Sequence, residues 1–263
     1  NSFSNINYDE IDEKSAATAC YTSGTTGMPK GVYYSHRSLI LHAWAINGVL
    51  NFKPEDSFAA IVPLFHANGW GAHFAATMMG SKIVLPGRYT PESLAKILID
   101  EEVTVSAAAP AILIPLLEVF RKMEPRPKLN NLRMVSGATE PPLALMLQLK
   151  EFGINIMHAY GATETTPLVT ANLPKRKIKK LNEEAQIENA RKQGLPVFGV
   201  EVKIVDPAGK ELPWDGKSIG ELLIRGFWVA NQYYNDERTK DSFIDGWWKS
   251  GDAAVIDENG YVK

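Results

Sequence analysis

YTSGTTGMPKG, residues 21–31, is the most informative segment of this 263-residue chain. An apolar run at residues 16–21 predicts a buried strand that leads into a loop rich in hydroxyl groups and glycines. Hydroxyl and backbone N–H groups can surround phosphate oxygens, and glycines let the backbone approach a ligand closely. Lys30 supplies a positive charge. The segment therefore predicts a phosphate-binding loop that begins where a strand ends.

Two other interpretations of this loop have to be weighed. A Walker A loop requires Ser or Thr directly after its lysine, but Gly31 follows Lys30 and Pro29 precedes it. This difference argues against a P-loop NTPase or kinase. The other interpretation is a flexible surface turn, which is disfavoured because hydroxyl, glycine and lysine residues occur together in so short a stretch.

Beyond the loop, short apolar strands alternate with longer helical segments. Strands are predicted at residues 58–62, 82–85, 103–108, 132–136 and 154–159, and helices at residues 91–101, 110–122 and 142–152. Each of these helices has a proline in its first turn, where the missing N–H costs nothing. Alternation at this spacing is typical of a parallel sheet with crossover helices.

The period of the apolar pattern changes to two after Pro196. Residues 200–205 alternate between apolar and polar side chains, and residues 220–225 and 252–262 look similar, the second with a predicted turn at residues 257–260. We therefore predict an α/β fold: a parallel or mixed sheet with flanking helices, followed by a small antiparallel, β-barrel-like subdomain. The predicted divisions are residues 1–50, which contain the phosphate-binding loop, residues 51–195, and residues 196–263.

Composition narrows the classes of partner. The formal net charge is −2, so no general basic field exists to hold nucleic acid, and we expect no nucleic-acid partner. Cys20 is the only cysteine, which excludes a disulfide within the chain and suits a reducing compartment. No apolar run is long enough to span a bilayer. We predict a cytoplasmic location.

HAYGATETTP, residues 158–167, is a second informative segment, and it follows a predicted apolar strand. Open α/β sheets bind ligands at the carboxyl ends of their strands. There Tyr160 can stack on a purine, Thr163 can donate to an α-phosphate, and Glu164 can hold Mg²⁺ through oxygen. On its own, the segment is equally consistent with a helix-capping turn.

WWKSGD, residues 247–252, is the third segment. On its own, Ser-Gly-Asp is more typical of a β-turn. It becomes informative about function because it follows the other two segments along the chain. In this order the three resemble the signatures of the adenylate-forming (acyl-activating) superfamily, which includes acyl-CoA synthetases, luciferases and carrier-loading adenylation domains. Lys249 and Ser250 stand where that family more commonly has Arg and Thr.

The resemblance implies specific roles in binding ATP. The loop would clamp the β- and γ-phosphates, Asp252 would accept hydrogen bonds from the ribose hydroxyls, and Glu164 would hold Mg²⁺. The ATP-binding residues that it implies are Thr22, Ser23, Gly24, Thr25, Thr26, Gly27, Gly137, Ala138, Thr139, Tyr160, Gly161, Ala162 and Asp252. The catalytic residues that it implies are Lys30, Thr163, Glu164 and His66.

VPLFHANGW, residues 62–70, bears on the substrate. His66 and Trp70 are four residues apart, so on a helix they would share a face, although residues of these types are often only part of a core. The segment resembles the Phe-His motif of the family, which implies a substrate pocket formed by His66, Trp70 and Gly161. The closest resemblance is to bacterial and archaeal medium- to long-chain fatty acyl-CoA synthetases, in which a Trp at this place is similar to a gate of the fatty-acid tunnel.

The resemblance implies an AMP-forming acyl-CoA synthetase that uses ATP, Mg²⁺ and CoA, with a medium- or long-chain fatty acid as substrate. Ligases for short methylthio-alkanoic or aryl acids stay open, and so does an adenylation domain that loads a carrier protein. A non-catalytic homologue is disfavoured because Lys30, Glu164 and Asp252 are intact. A homodimer stays open, as does peripheral membrane contact, for example through the basic residues 175–180.

The resemblance also concerns the extent of the chain. It implies part of a large N-terminal domain, with the acyl and adenine sites in residues 51–195. The small C-terminal lid domain of the family, with its lysine, would lie beyond Lys263. We therefore expect this chain alone to be inactive or nearly so, and the full-length protein to be an enzyme.

Overall fold

The computed structural model describes residues 10–22, 27–129 and 131–263. Strand β1 (Ala16–Thr22) pairs antiparallel with β2 (Lys30–Ser35), and Thr22 lies opposite Lys30. The two ends of the predicted phosphate-binding loop are therefore held side by side. Helix α1 (His36–Leu50) follows β2 directly, and the side chain of Ser35 caps it by accepting a hydrogen bond from the N–H of Ser38.

The central sheet has seven strands in the order β4-β3-β5-β6-β7-β8-β9. They are β3 (Ser57–Ala59), β4 (Lys82–Val84), β5 (Val105–Ala107), β6 (Leu132–Ser136), β7 (Ile154–Gly161), β8 (Leu168–Ala171) and β9 (Leu195–Pro196). Strands β3 to β7 pair in parallel, whereas β8 and β9 pair antiparallel. The carboxyl ends of the five parallel strands therefore lie along one edge of the sheet.

Helices cover both faces of this sheet. They are α1, α2 (Ala72–Met79), α3 (Pro91–Asp100), α4 (Pro110–Lys122), α5 (Leu143–Glu151) and the polar helix α6 (Glu183–Arg191). Phe58 belongs to the apolar cluster that contains buried residues of α1 and α2, whereas its neighbour Ala59 belongs to the cluster of α3, α4 and α5. Successive strand residues point to opposite faces, so the two clusters lie on opposite sides of the sheet.

The last part of the chain forms a four-stranded antiparallel sheet in the order β10-β11-β13-β12. The strands are β10 (Val200–Val205), β11 (Gly220–Gly226), β12 (Phe243–Ile244) and β13 (Trp247–Ala254), and the short helix α7 (Thr239–Ser242) precedes β12. Alternate residues such as Ile204 and Leu222 belong to the same apolar cluster as Phe58. The two sheets therefore share one continuous core.

The predicted fold class is confirmed: a mixed sheet with flanking helices is followed by a small antiparallel sheet. One detail was wrong: Pro142 is the residue before α5 and has an extended ψ of 133°, so it does not lie in the first turn. Strand β13 ends at Ala254, and the chain then returns on itself through the predicted turn at residues 257–260. There the N–H of Gly260 donates to the Asp257 carbonyl at 2.8 Å, and an antiparallel bridge joins Ile256 to Val262. The division into three domains stays a prediction.

Among residues 10–22, 27–129 and 131–263, no helix is both long enough and apolar enough to cross a membrane.

Candidate active site

A cavity of about 640 Å³ lies at the carboxyl ends of β6 and β7 and extends to β13. Its wall brings together residues from all the predicted site segments. These are Thr22, Lys30, His66, Trp70, Gly137, Ala138, Tyr160, Gly161, Ala162, Thr163, Glu164 and Asp252. Segments that are far apart in the sequence therefore meet around one space.

The other predicted nucleotide-binding residues fall into two groups. Ser23, Gly24, Thr25 and Thr26 lie outside the residues that the structure describes. Gly27 and Thr139 are described, but they do not line the cavity. Thr22 does line it, and among the described residues no group forms a hydrogen bond with its buried hydroxyl. That hydroxyl is suited to a phosphate oxygen.

A hydrogen-bonded cluster joins the lysine and the carboxylate of the site. The hydroxyl of Tyr233 donates to Oε1 of Glu164 at 2.6 Å and accepts from Nζ of Lys30 at 2.9 Å. It also accepts from Nε1 of Trp248 at 3.3 Å. Nζ of Lys30 lies 4.2 Å from the centre of the Tyr233 ring, which adds a cation–π contact. One phenol therefore connects β2, the turn after β7 and β13.

Burial favours the neutral form of this phenol. Desolvation raises the pKa of Tyr233, and the neighbouring Glu164 carboxylate raises that pKa further, because both disfavour a phenolate. Two contacts fix the backbone around Glu164: the hydroxyl of Tyr34 donates to the carbonyl of Thr163 at 2.7 Å, and the N–H of Ala230 donates to the carbonyl of Glu164 at 2.8 Å. The backbone on both sides of Glu164 is therefore fixed, which limits where its carboxylate can lie.

The donor set fits a Mg²⁺ ion that binds together with a phosphate ligand. Mg²⁺ usually takes one or two carboxylates, substrate phosphates and water. Glu164 offers such a carboxylate, and its residue is only 6% exposed. Within the described part of the chain, no group of three or more His, Cys, Asp or Glu residues is arranged to hold a metal ion by protein ligands alone.

Tyr160 and Asp252 meet at the β13 side of the cavity, where the Tyr160 hydroxyl donates to the Asp252 carboxylate. Burial is the main reason that the pKa of Tyr160 is raised, and the Asp252 charge adds to it. The hydroxyl of Ser250 donates to the Leu222 carbonyl at 2.7 Å and accepts from the N–H of Asp252 at 3.0 Å. Ser250 therefore ties the aspartate to the antiparallel sheet.

The substrate segment is not a right-handed helix, so His66 and Trp70 do not share a helix face. All five residues from 67 to 71 have positive φ, between 43° and 70°, so the chain makes a left-handed turn. Left-handed backbone costs roughly 1–2 kcal/mol for each residue other than glycine. Part of the compensation comes from Asn68, whose amide donates to the Thr18 hydroxyl at 2.8 Å. His66 and Trp70 still both face the cavity.

Another part of the cavity wall is apolar. Ile46 of α1, Val135 of β6, and Pro167 and Leu168 at the start of β8 contribute to it. Trp70 lies against Gly137: a Cβ atom on Gly137 would be 3.3 Å from the edge of the indole. A side chain at position 137 would therefore press on Trp70.

His42 supports the apolar part of the wall from behind. It is fully buried, and burial lowers its pKa to about 3, so the ring is neutral. Its Nε2 accepts a hydrogen bond from the N–H of Leu168 at 3.2 Å. Gly71 lies against the ring, since a Cβ there would be 2.6 Å from Cε1 of His42. His42 thereby joins α1, the left-handed turn and the start of β8.

Sequence reasoning missed Tyr233 and His42. No motif contains Tyr233, and the helical pattern of α1 gave no reason to separate His42 from other core residues. Trp248 lies inside the third segment, but nothing in that segment indicates that its indole N–H contacts Tyr233. The signal that could have found Tyr233 is a buried tyrosine hydroxyl, which requires polar partners, and burial of one residue is not visible in the sequence.

Comparison with known proteins identifies the family. The model of the AMP-binding enzyme family matches residues 4–234, which is most of the chain. A 3-methylmercaptopropionyl-CoA ligase from Ruegeria lacuscaerulensis is 39% identical over 255 residues, which cover 96% of this chain and 47% of the relative. A medium-chain-fatty-acid–CoA ligase from Ectopseudomonas oleovorans is 38% identical over 262 residues, which cover 98% of this chain and 48% of the relative.

A solved structure gives the same result. The o-succinylbenzoate coenzyme A synthetase from Bacillus subtilis, in complex with ATP and a magnesium ion, superimposes with a TM-score of 0.80 at 28% identity. The match covers 96% of this chain and 50% of that one. The chain belongs to the AMP-binding enzyme family, as its resemblance to adenylate-forming enzymes predicted. It spans about half the length of the curated relatives that it matches.

Proposed function

We propose that the full-length gene product is an ATP-dependent acid–thiol ligase, an AMP-forming acyl-CoA synthetase. It forms an acyl-adenylate from a carboxylic acid and transfers the acyl group to CoA. A medium- or long-chain fatty acid is the proposed acid. Membership of the AMP-binding enzyme family supports this class, and so do relatives named as acid–CoA ligases.

One observation carries the proposal: a single cavity has both charged and apolar walls. Lys30, Glu164 and Asp252 supply charge, whereas Ile46 and Leu168 supply apolar surface. A nucleoside triphosphate requires charged walls, and a hydrocarbon chain requires apolar walls. A cavity with both can hold ATP and an acid next to each other, which is the condition for their reaction.

The charged residues have separate roles in the proposed complex. The ring of Tyr160 stacks on adenine, Asp252 accepts hydrogen bonds from the ribose hydroxyls, and Thr163 donates to the α-phosphate. Lys30 contacts the β- and γ-phosphates. Glu164 would hold Mg²⁺, which, when bound, neutralises part of the phosphate charge.

The proposed reaction has two steps. In the first, a carboxylate oxygen of the acid attacks the α-phosphorus of ATP, and pyrophosphate leaves with the electron pair of the broken P–O bond. Lys30 stabilises the negative charge of that leaving group, and His66 borders the reacting carboxylate. In the second, the thiolate of CoA attacks the acyl carbonyl carbon, the C–O bond to the phosphate breaks, and AMP leaves.

Two kinds of carboxylic acid are candidates for the substrate. A medium- or long-chain fatty acid is favoured because Trp70 and the apolar wall suit a hydrocarbon chain. A short methylthio-alkanoic acid is the second candidate, because the relative named 3-methylmercaptopropionyl-CoA ligase is as similar to this chain as the fatty-acid ligase. The same adenylate chemistry would serve both.

A panel of acids tests the proposal on the full-length gene product. AMP formation from ATP is measured with octanoate, palmitate, 3-methylthiopropionate and benzoate, with and without CoA. We expect CoA-dependent AMP release to be fastest with octanoate or palmitate. Fastest turnover of benzoate would contradict the fatty-acid proposal, and transfer to a carrier protein but not to CoA would favour a carrier-loading adenylation domain.

Variants test the residues. Lys30→Met and Glu164→Gln are each expected to lower the rate of AMP formation by about a hundredfold or more, as loss of a preorganised charge contact commonly does. Lys96→Met is the control, because Lys96 is an exposed residue of α3 whose Nζ pairs with Asp100 at 2.5 Å. Wild-type rates in both site variants would contradict the assigned roles.

A further inference from the structure

Tyr233 lies outside every sequence motif, yet its hydroxyl contacts two of the charged groups of the cavity, Lys30 and Glu164. The residue is 3% exposed, and its ring packs in a small cluster with Tyr34 and Val32. The ring is therefore accounted for by packing, but the three polar contacts of the hydroxyl are not. They make Tyr233 a candidate positioning residue for Lys30 and Glu164.

The direction of the hydroxyl proton follows from its partners. An ammonium group and an indole N–H can only donate hydrogen bonds, so Lys30 at 2.9 Å and Trp248 at 3.3 Å both donate to the phenol oxygen. The phenol proton must then point to its third partner, Oε1 of Glu164 at 2.6 Å. The single donor and both acceptor positions of the hydroxyl are used, which fixes the oxygen in place.

The same bonds separate the two charges. Nζ of Lys30 lies 3.9 Å from Oε1 of Glu164, with the phenol oxygen in contact with both. A direct charge-assisted hydrogen bond between them would be roughly 2.7–2.9 Å long. The two side chains are 20% and 8% exposed, so solvent screens them weakly and a direct pair would be favoured if nothing intervened.

A direct pair would conflict with the proposed function, on which this inference rests. The Glu164 carboxylate would be occupied by the lysine, and a divalent cation would have to displace it. The Lys30 ammonium would be held at Glu164 rather than directed towards phosphate oxygens. Both charges are useful to Mg·ATP only if they remain apart.

We propose that Tyr233 is a positioning residue whose hydroxyl prevents Lys30 and Glu164 from closing to a direct ion pair. It thereby keeps Glu164 ready for a divalent cation and Lys30 ready for phosphate. Its effect on metal binding passes through Lys30, and this dependence distinguishes it from a residue that only packs.

The first test is Tyr233→Phe, which removes the hydroxyl and keeps the ring. Mn²⁺, as a paramagnetic substitute for Mg²⁺, is titrated into the full-length gene product with saturating α,β-methylene-ATP, and free Mn²⁺ is read by electron paramagnetic resonance. We expect the Kd of Mn²⁺ to rise by at least about tenfold, which corresponds to ~1.4 kcal/mol. An unchanged Kd would overturn the proposal.

The second test repeats the substitution in a Lys30→Met background. If Tyr233 acts by restraining the lysine, its removal has little further effect on the Kd of Mn²⁺ once the lysine is absent. A tenfold rise in both backgrounds would show that Tyr233 acts by packing or on Glu164 alone, and would overturn the proposal.

Tyr261→Phe is the matched control. Tyr261 is fully buried, its hydroxyl donates to the Leu173 carbonyl at 3.0 Å and accepts from the N–H of Lys175 at 2.8 Å, and it does not line the cavity. We expect its Kd for Mn²⁺ to equal that of the wild type. If the wild-type protein binds no Mn²⁺ with the nucleotide, the proposed function fails and this inference falls with it; if wild type and Tyr233→Phe bind Mn²⁺ equally, only this inference fails.

Discussion

Replacement of Gly161 by alanine is the most demanding test of the turn that carries Thr163 and Glu164. Strand β7 ends at Gly161, where its pairing with β8 is irregular. A Cβ atom at this position would lie 1.6 Å from the carbonyl oxygen of Pro167 and 2.6 Å from its carbonyl carbon. Because both are backbone atoms, no side-chain rotation relieves the contact, and the segment around Pro167 has to move.

The size of the effect follows from what that carbonyl does. To restore van der Waals contact it must retreat by roughly 2 Å. It accepts hydrogen bonds from the N–H of Ala162 at 3.1 Å and from the hydroxyl of Thr165. Loss of two hydrogen bonds at ~1 kcal/mol each, together with ~1–3 kcal/mol of overpacking, gives a destabilisation of about 3–5 kcal/mol. For a protein of this size Tm should fall by about 10 °C.

Gly48→Ala makes the same chemical change where the structure has room for it. Gly48 lies near the end of α1 on an exposed face, and a Cβ there meets no atom within 4 Å. Alanine in a helix interior should therefore stabilise the protein by ~1 kcal/mol. Thermal unfolding followed by far-UV circular dichroism should give shifts of opposite sign for the two variants. A Tm of Gly161→Ala within about 2 °C of wild type would refute the reasoning.

Three further substitutions test other parts of the account. His42 has a pKa lowered from 6.5 to about 3 by burial, so its contribution to stability is complete above pH 6.5 and is lost as pH falls towards 3. Between pH 7 and pH 5, the free energy of unfolding of His42→Gln, measured with urea, should therefore fall by ~2 kcal/mol less than that of the wild type. The same pH dependence in both proteins would contradict this. Thr90→Ala removes the capping box of α3 and should cost ~1 kcal/mol in the same assay at neutral pH, whereas no loss would mean that the cap is replaced. Tyr160→Phe removes the hydrogen bond to Asp252 and should weaken binding of α,β-methylene-ATP about fivefold, as measured by calorimetry, and tighter binding would argue against that role.

Local patterns in the sequence were sufficient for the regular part of the fold. Helix α4 and strand β6 have the bounds that their apolar periodicity predicted. Helix α4 buries one face against the sheet, and β6 is a sheet strand with apolar residues on both faces, so each pattern reflects the surroundings of its element. The left-handed turn over residues 67–71 has no such pattern, because positive φ at Asn68 and Trp70 depends on distant partners such as Thr18.

The candidate site shows the same difference between local and distant information. The motif segments were visible because several functional residues stand together in each of them. Tyr233 was not visible because its partners Glu164 and Lys30 are 69 and 203 residues away in the sequence. Only the folded chain brings these three side chains together, so their contact could not be inferred from spacing.

The central claim is that one cavity binds one nucleotide through residues of separate segments. Calorimetric titration of α,β-methylene-ATP with Mg²⁺ into the full-length gene product tests it most directly. We predict one nucleotide bound per chain, with a Kd raised at least about tenfold by Lys30→Met and, separately, by Asp252→Ala, because each removes a charge-assisted contact. Lys96→Met should bind as wild type. Wild-type affinity in both site variants would contradict the claim that Lys30 and Asp252 hold the same ligand.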